Sequence, residues 1–141
     1  PVRGIQGTQI PPNKNQVVKK IDEVSVDNYK LLVLPGGVKA MEKVRQERKI
    51  IKFISEFDIK KKIIACICSG AQLLISAKVV KGRKISGYYS MKDDLVNAGA
   101  TYTDLPAVID HNIVTTAHYK DLGPWMKAVL KVFYDKLKNQ S

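Results

Sequence analysis

A chain of 141 residues, 45% apolar and 26% charged, has the composition of a soluble globular protein with one domain and one core. No apolar run reaches the ~18 residues a membrane helix requires, and no signal-peptide pattern is visible. Two cysteines in one short segment do not make a disulfide framework, which points to a reducing cytoplasm.

The formal net charge of +11 comes almost wholly from lysine, the arginines being Arg3, Arg45, Arg48 and Arg83. The lysines are spread along the chain, with one run at Lys60-Lys61-Lys62. Base reading favours arginine forks, and no helix-turn-helix, zinc-finger or aromatic RNA-binding pattern accompanies the charge. Nucleic acid is therefore not the expected partner. Solvated faces are the expected role of the lysines, with weak phosphate attraction as the alternative.

In chain order, Pro1 to Asn28 carries few helix signals. Pro11-Pro12-Asn13 marks a turn, and Val17-Val18 predicts a short edge strand. The chain begins on Pro without an initiator Met, which reads as an incomplete or processed product. Leu31-Leu32-Val33-Leu34 is a buried-strand run, ending in Pro35-Gly36-Gly37, where two glycines let the backbone approach a ligand and expose N–H groups. Met41 to Phe57 reads as one helix, with Ile50, Ile54 and Phe57 at i, i+4 and i+7, and Asp58 to Lys62 as a connection.

Ile63 to Leu74 is the centre of the pattern. Its first half is a continuous apolar run, as in a strand buried on both faces. Its second half has helical spacing, with Ala71, Leu74 and Ala77 on one face. Between them stand Cys68, Ser69 and Gly70, in the order strand, sharp turn, helix. A Cys at that junction lies near free backbone N–H groups and the positive end of a helix, which favour a thiolate. This is the logic of a nucleophile elbow built on Cys. Cys66, inside the strand, reads as an inert core residue, and a Cys-x-Cys pair is too narrow for a zinc site.

Downstream, Val79 to Arg83 reads as a turn and Lys84 to Ser86 as a short strand. Lys92 to Ala98 reads as a short helix with Asp93 and Asp94 in its first turn and Gly99 past its end. Ala107 to Ile109 and Ile113 to Thr116 read as strands joined by the turn Asp110-His111-Asn112. A last helix is expected from about Leu122 to Leu137, with Asp121 as N-cap, Pro124 in its first turn and a stripe of Trp125, Val129, Val132 and Phe133. Strands alternating with helices imply an α/β layered fold with a mostly parallel sheet. The ligand crevice of such a sheet lies at the carboxyl ends of the strands, where Gly36-Gly37 and Cys68 both fall.

On these residues the chain resembles the ThiJ/PfpI family, within the class I glutamine amidotransferase-like superfamily. The resemblance rests on Leu34-Pro35-Gly36-Gly37 and on Ala65 through Leu74. It continues in Lys81-Gly82-Arg83-Lys84, Lys92 through Ala100, and the stretch from Ile113 to Phe133. It covers nearly everything from Gly4 onward. It implies a single flavodoxin-like three-layer sandwich over 1–141, a reactive cysteine at Cys68, and an oxyanion hole from the backbone at Gly37 and Ser69. It further implies a small carbonyl or peptide substrate, a homodimer or higher homo-oligomer, and no metal or cofactor. Family activities include cysteine peptidase, deglycase or glyoxalase-type work on carbonyl adducts, and stress or chaperone roles.

The chain departs from the family pattern in three places. The usual opening strand and helix, which supply a Glu beside the nucleophile, are missing, so the domain reads as N-terminally incomplete. Ser69 stands where many members have His. The intersubunit acid of PfpI-type members matches Glu42 when one residue is inserted; a solvated helical Glu is the equal alternative. In class I amidotransferases the catalytic His stands in a loop after a late strand, followed two residues on by Glu. His118 occupies such a loop, but Lys120 follows it, so glutamine hydrolysis is not expected. A Cys68–His118 dyad and a His118 that only lines the pocket both remain open, while His111 in its polar turn needs no special role. Three functions stay in play: an enzyme using Cys68 on a carbonyl or amide carbon, a redox or stress protein in which Cys68 is oxidised, and a non-catalytic chaperone-like module.

Overall fold

The computed structural model describes residues 13–140, together with the backbone of Val2–Arg3 and Gln9–Ile10. Those two short segments, β1 and β2, pair antiparallel. Then follow β3 (Leu31–Leu34), α1 (Val38–Val44), α2 (Arg48–Ile59), β4 (Ile63–Ile67), α3 (Ala71–Ser76) and β5 (Lys84–Ile85). The remainder is α4 (Lys92–Asn97), β6 (Thr101–Tyr102), β7 (Val108–Asp110), β8 (Ile113–Thr116) and α5 (Leu122–Lys138).

The main sheet has the order β3-β4-β8-β7, with β3, β4 and β8 parallel and β7 antiparallel at one edge. All five residues of β4 are buried. Side chains alternate across a strand, and β4 uses both faces. Ile64 and Cys66 join Met41, Ile54, Phe57, Leu73 and Leu74 from α1, α2 and α3. Ala65 and Ile67 face the other way, onto Val114, Trp125 and Val129. Helices therefore cover both faces of a mostly parallel sheet, the expected α/β sandwich. Each fully buried side chain of the size of Ile64 or Phe57 contributes about 1.5–3 kcal/mol.

Two expectations need correction, a third holds in part, and one strand was not expected. Val17 and Val18 lie in irregular chain and are 81% and 66% exposed; the pair is short and finds no apolar surface to cover. The single helix expected over Met41 to Phe57 is two, separated at Arg45–Glu47. At about 100° per residue, one straight helix would place Met41 roughly 160° from Phe57, yet both are buried in the same core. The break lets both face the sheet. Asp121 is the N-cap residue of α5 as expected, but its side chain makes no capping hydrogen bond; a 3-10 turn at Tyr119–Asp121 precedes the helix and is capped by the His118 side chain. Finally, β6 was not anticipated; it pairs parallel with β5, and two residues are too few for a readable pattern. Of the Pro11-Pro12-Asn13 turn, only Asn13 lies among the described residues, where its carbonyl accepts from the Gln16 N–H at 2.8 Å. Among the described residues, no helix is long and apolar enough to cross a membrane.

Candidate active site

The strand register determines what meets at the crevice. Leu34 pairs with Cys66, and Ile67 with Thr116. The next residues of the three parallel strands are therefore Pro35-Gly36-Gly37, Cys68 and Ala117-His118, all at the same end of the sheet.

At that end Cys68 leaves β4 with φ +58° and starts a 3-10 turn, Cys68–Gly70, that runs directly into α3. Positive φ in a non-glycine residue is unfavourable by about 1–3 kcal/mol and persists only where the surroundings impose it. Here they do. Gly70 passes so close to β3 that a Cβ would sit 2.8 Å from the Leu34 carbonyl oxygen and 2.9 Å from Cys66 Sγ. Gly36, at φ +86°, packs from the other side; a Cβ there would lie 2.7 Å from the Ile67 carbonyl oxygen and 3.2 Å from Cys68 Cβ. The Tyr88 N–H donates to the Cys68 carbonyl at 3.2 Å.

The two cysteines end in different surroundings. Cys66 is buried against α3, and burial, with a smaller contribution from neighbouring Cys68, pushes its thiol well above the ordinary range. Cys68 is half-buried, its Sγ 3.8 Å from Ser69 Oγ. Ser69 itself is buried. Gly37, at φ +91°, heads α1, its carbonyl accepting from the Met41 N–H at 2.8 Å. Among the described residues, neither the Gly37 nor the Ser69 backbone N–H donates a hydrogen bond. Glu42 is exposed on α1 and shares with Ser69, Arg45, Gln72 and Asp94 an open groove of about 580 Å³.

His118 is half-buried just after β8. Its Nδ1 accepts the Lys120 N–H at 3.1 Å, and its ring centroid lies 4.0 Å from that of Tyr119 and 6.3 Å from that of Tyr89. Among the described residues no hydrogen bond joins it to Cys68. The segment Tyr88-Tyr89 links the two regions. Tyr88 holds the elbow carbonyl, while Tyr89 stacks on His118 and lies under Lys120, whose Nζ is 5.7 Å from the ring. The Lys120 ammonium is held above its ordinary pKa, first by its hydrogen bond with Tyr89 and then by the charges of Tyr89 and Asp121. Sequence reasoning passed over Tyr88 and Tyr89; their one signal is an aromatic pair following Gly87 just past a short strand. Cys66 and Cys68 do not converge on a common ligand, and no metal-binding group of three or more His, Cys, Asp or Glu occurs among the described residues.

Comparison with known proteins bears on the same residues. The chain is 42% identical over 111 residues to the deglycase PfpI of Pyrococcus furiosus, an alignment spanning 79% of this chain and 66% of that protein, so it covers about two thirds of the relative's length. It is 35% identical over 120 residues to general stress protein 18 of Bacillus subtilis, spanning 85% of this chain and 67% of that one. A solved two-domain protein from Anabaena variabilis, containing DJ-1/ThiJ/PfpI-like and ferritin-like domains, superposes with a TM-score of 0.76 at 31% identity, over 79% of this chain and 32% of that one. The profile of the DJ-1/PfpI family matches residues 1–132, elbow and glycine turn included, and the chain belongs to that family.

Proposed function

We propose that the protein is a cysteine-dependent enzyme of the deglycase kind. In this reading Cys68 attacks the carbonyl carbon of a small 2-oxoaldehyde, or of the adduct such an aldehyde forms with an amino or thiol group. The observation that carries it is the Cys68 backbone: a non-glycine residue at φ +58°, half-exposed at the carboxyl end of a buried strand, with close-packed glycines enforcing the turn. That geometry lifts one side chain out of the strand end, as a nucleophile requires. A merely packed cysteine needs no such strain, and Cys66 has none.

The thiol loses its proton to solvent. The sulfur forms a C–S bond to the aldehyde carbon, the π pair moves to oxygen and the oxygen takes a proton, giving a hemithioacetal; a proton then moves from that carbon to the neighbouring carbonyl carbon, and water cleaves the resulting thioester to a 2-hydroxy acid and the free Cys68 thiol. The Ser69 and Gly37 N–H groups are the donors proposed for the developing oxyanion. A neutral imidazole whose Nδ1 accepts a hydrogen bond carries its proton on Nε2. His118, at the same end of the sheet as Cys68, is proposed as the proton donor to that oxygen. Service as the base of a Cys68–His118 dyad requires its bond to the Lys120 N–H to break first. Ser69 is a buried hydroxyl, and among the described residues no hydrogen bond joins Cys68 to a histidine or a carboxylate, which favours carbonyl addition over amide cleavage. Glu42 belongs to the proposal as an acid offered to a second copy in a homodimer or higher oligomer.

Loss of methylglyoxal, and of its adduct with a free thiol, tests the reading. Cys68→Ser should lower turnover on the order of 10³-fold or more, and Cys66→Ala should leave it within a few-fold. Turnover retained in Cys68→Ser overturns the proposal. So does a wild-type protein without turnover that gains oxygen at Cys68 under mild peroxide, which would make it the redox protein.

A further inference from the structure

The lysine run at residues 60–62 plays no part in the Cys68 site. Lys62 immediately precedes β4, so the run lies at the end of the sheet opposite Cys68. Lysines from three parts of the fold converge there. Lys30 precedes β3, Lys60 and Lys62 lie between α2 and β4, and Lys136 lies in the last turn of α5. With Asp27 and the apolar Phe133 they line a pocket of about 220 Å³. Four ammonium groups thus share a small space with one carboxylate.

The hydrogen bonding holds these charges in place without cancelling most of them. Asp27 is committed to Lys60 by an ion pair. Lys62 Nζ donates to the carbonyls of Val26 and Tyr29, both at 2.6 Å. Lys136 Nζ donates to the Lys61 carbonyl. The Lys30 ammonium has no hydrogen-bond or ion-pair partner among the described residues. Among the described residues, Lys30, Lys62 and Lys136 make no ion pair with a carboxylate. Lys136 shows the strain of that arrangement: burial first, then the charges of Lys62 and Lys61, hold it below the ordinary lysine range. An anion placed between these groups relieves repulsion the fold already bears, and the Lys62 and Lys136 ammonium groups, fixed in advance, lose little freedom on binding it.

We propose that this pocket binds a small phosphate-bearing anion of pyrophosphate size, held by Lys30, Lys62 and Lys136. Lysine serves phosphate as a point-charge ligand. A recess of about 220 Å³ suits a compact anion better than an extended strand, and this site is independent of the chemistry at Cys68.

Calorimetric titration of the 141-residue protein with pyrophosphate at fixed ionic strength tests it, with a single-stranded oligonucleotide as comparator. One site per chain is expected. Lys30→Ala and Lys136→Met should each weaken it by about tenfold, and Asp27→Asn, which removes the pocket's carboxylate, should tighten it. Cys68→Ser should leave pyrophosphate binding unchanged. Lys30 is exposed and Lys30→Ala disturbs no recorded contact, so that arm stands even if Lys136→Met folds poorly. Absence of saturable binding overturns the proposal, as does binding indifferent to both Lys30→Ala and Asp27→Asn. Markedly tighter binding of the oligonucleotide than of pyrophosphate also overturns it, in favour of a polymer-binding face.

Discussion

Cys66 and Cys68 stand two positions apart, on either side of a strand end. The first remains in the pleat and points into the helix-covered core; the second leaves it at positive φ and stays half-exposed. Iodoacetamide on the folded protein should therefore label Cys68 and spare Cys66 until the chain unfolds, read by peptide mass; equal labelling of the two would contradict the assignment. Burial also gives Cys66 a signature in pH. Its thiol is raised in the fold and free in the unfolded chain, so the unfolded state loses that proton first, from about pH 8.5. This contribution to stability is whole below that pH and declines above it. Urea midpoints between pH 8 and 10 should fall in wild type and fall less steeply in Cys66→Ala. The glycine beside the elbow is equally sensitive. Gly36→Ala places a Cβ 2.7 Å from the Ile67 carbonyl oxygen at φ +86°, and should cost about 1–3 kcal/mol in denaturant unfolding. A neutral result would mean that the β3 turn does not hold the elbow.

Among the elements, α5 carries most of one face of the sheet. Trp125 and Val129 bury against β4 and β8, and Trp125 Nε1 donates to the Val114 carbonyl at 3.1 Å. Trp125→Ala should destabilise by about 3–5 kcal/mol, measured by urea unfolding followed by circular dichroism; a loss under 1 kcal/mol would mean that this face is not a packed core. The sequence showed α5, β3, β4 and β8 plainly because each carries its whole signal locally, as a 3.6-residue stripe or an unbroken apolar run. The elbow was legible for the same reason: Cys68, Ser69 and Gly70 sit where one periodicity stops and the other starts. Features set by distant partners were not legible. The break between α1 and α2 follows from both helices facing one sheet, and β6 exists through its pairing with β5. His118 could be placed at the crevice by its position after β8. The engagement of its Nδ1 by the Lys120 N–H, which decides what the ring can do, depends on the turn that follows.

At the scale of the whole molecule, β3 is the exposed margin of the design. Among the described residues β4 is its one paired neighbour, and Val33 is 43% exposed. An apolar strand with a free edge templates further pairing. The 141-residue chain should therefore associate with rising concentration, and Val33→Lys should shift light scattering towards smaller species; scattering unchanged by the substitution would place the contact elsewhere. The same architecture brings three strand ends together around one thiol, and that is the central functional claim. It is tested most directly by alkylating the protein in graded steps, measuring methylglyoxal turnover, and locating the label by mass at each step. The account predicts activity lost one for one with Cys68 alkylation while Cys66 remains free; activity that survives full alkylation of Cys68 would contradict it.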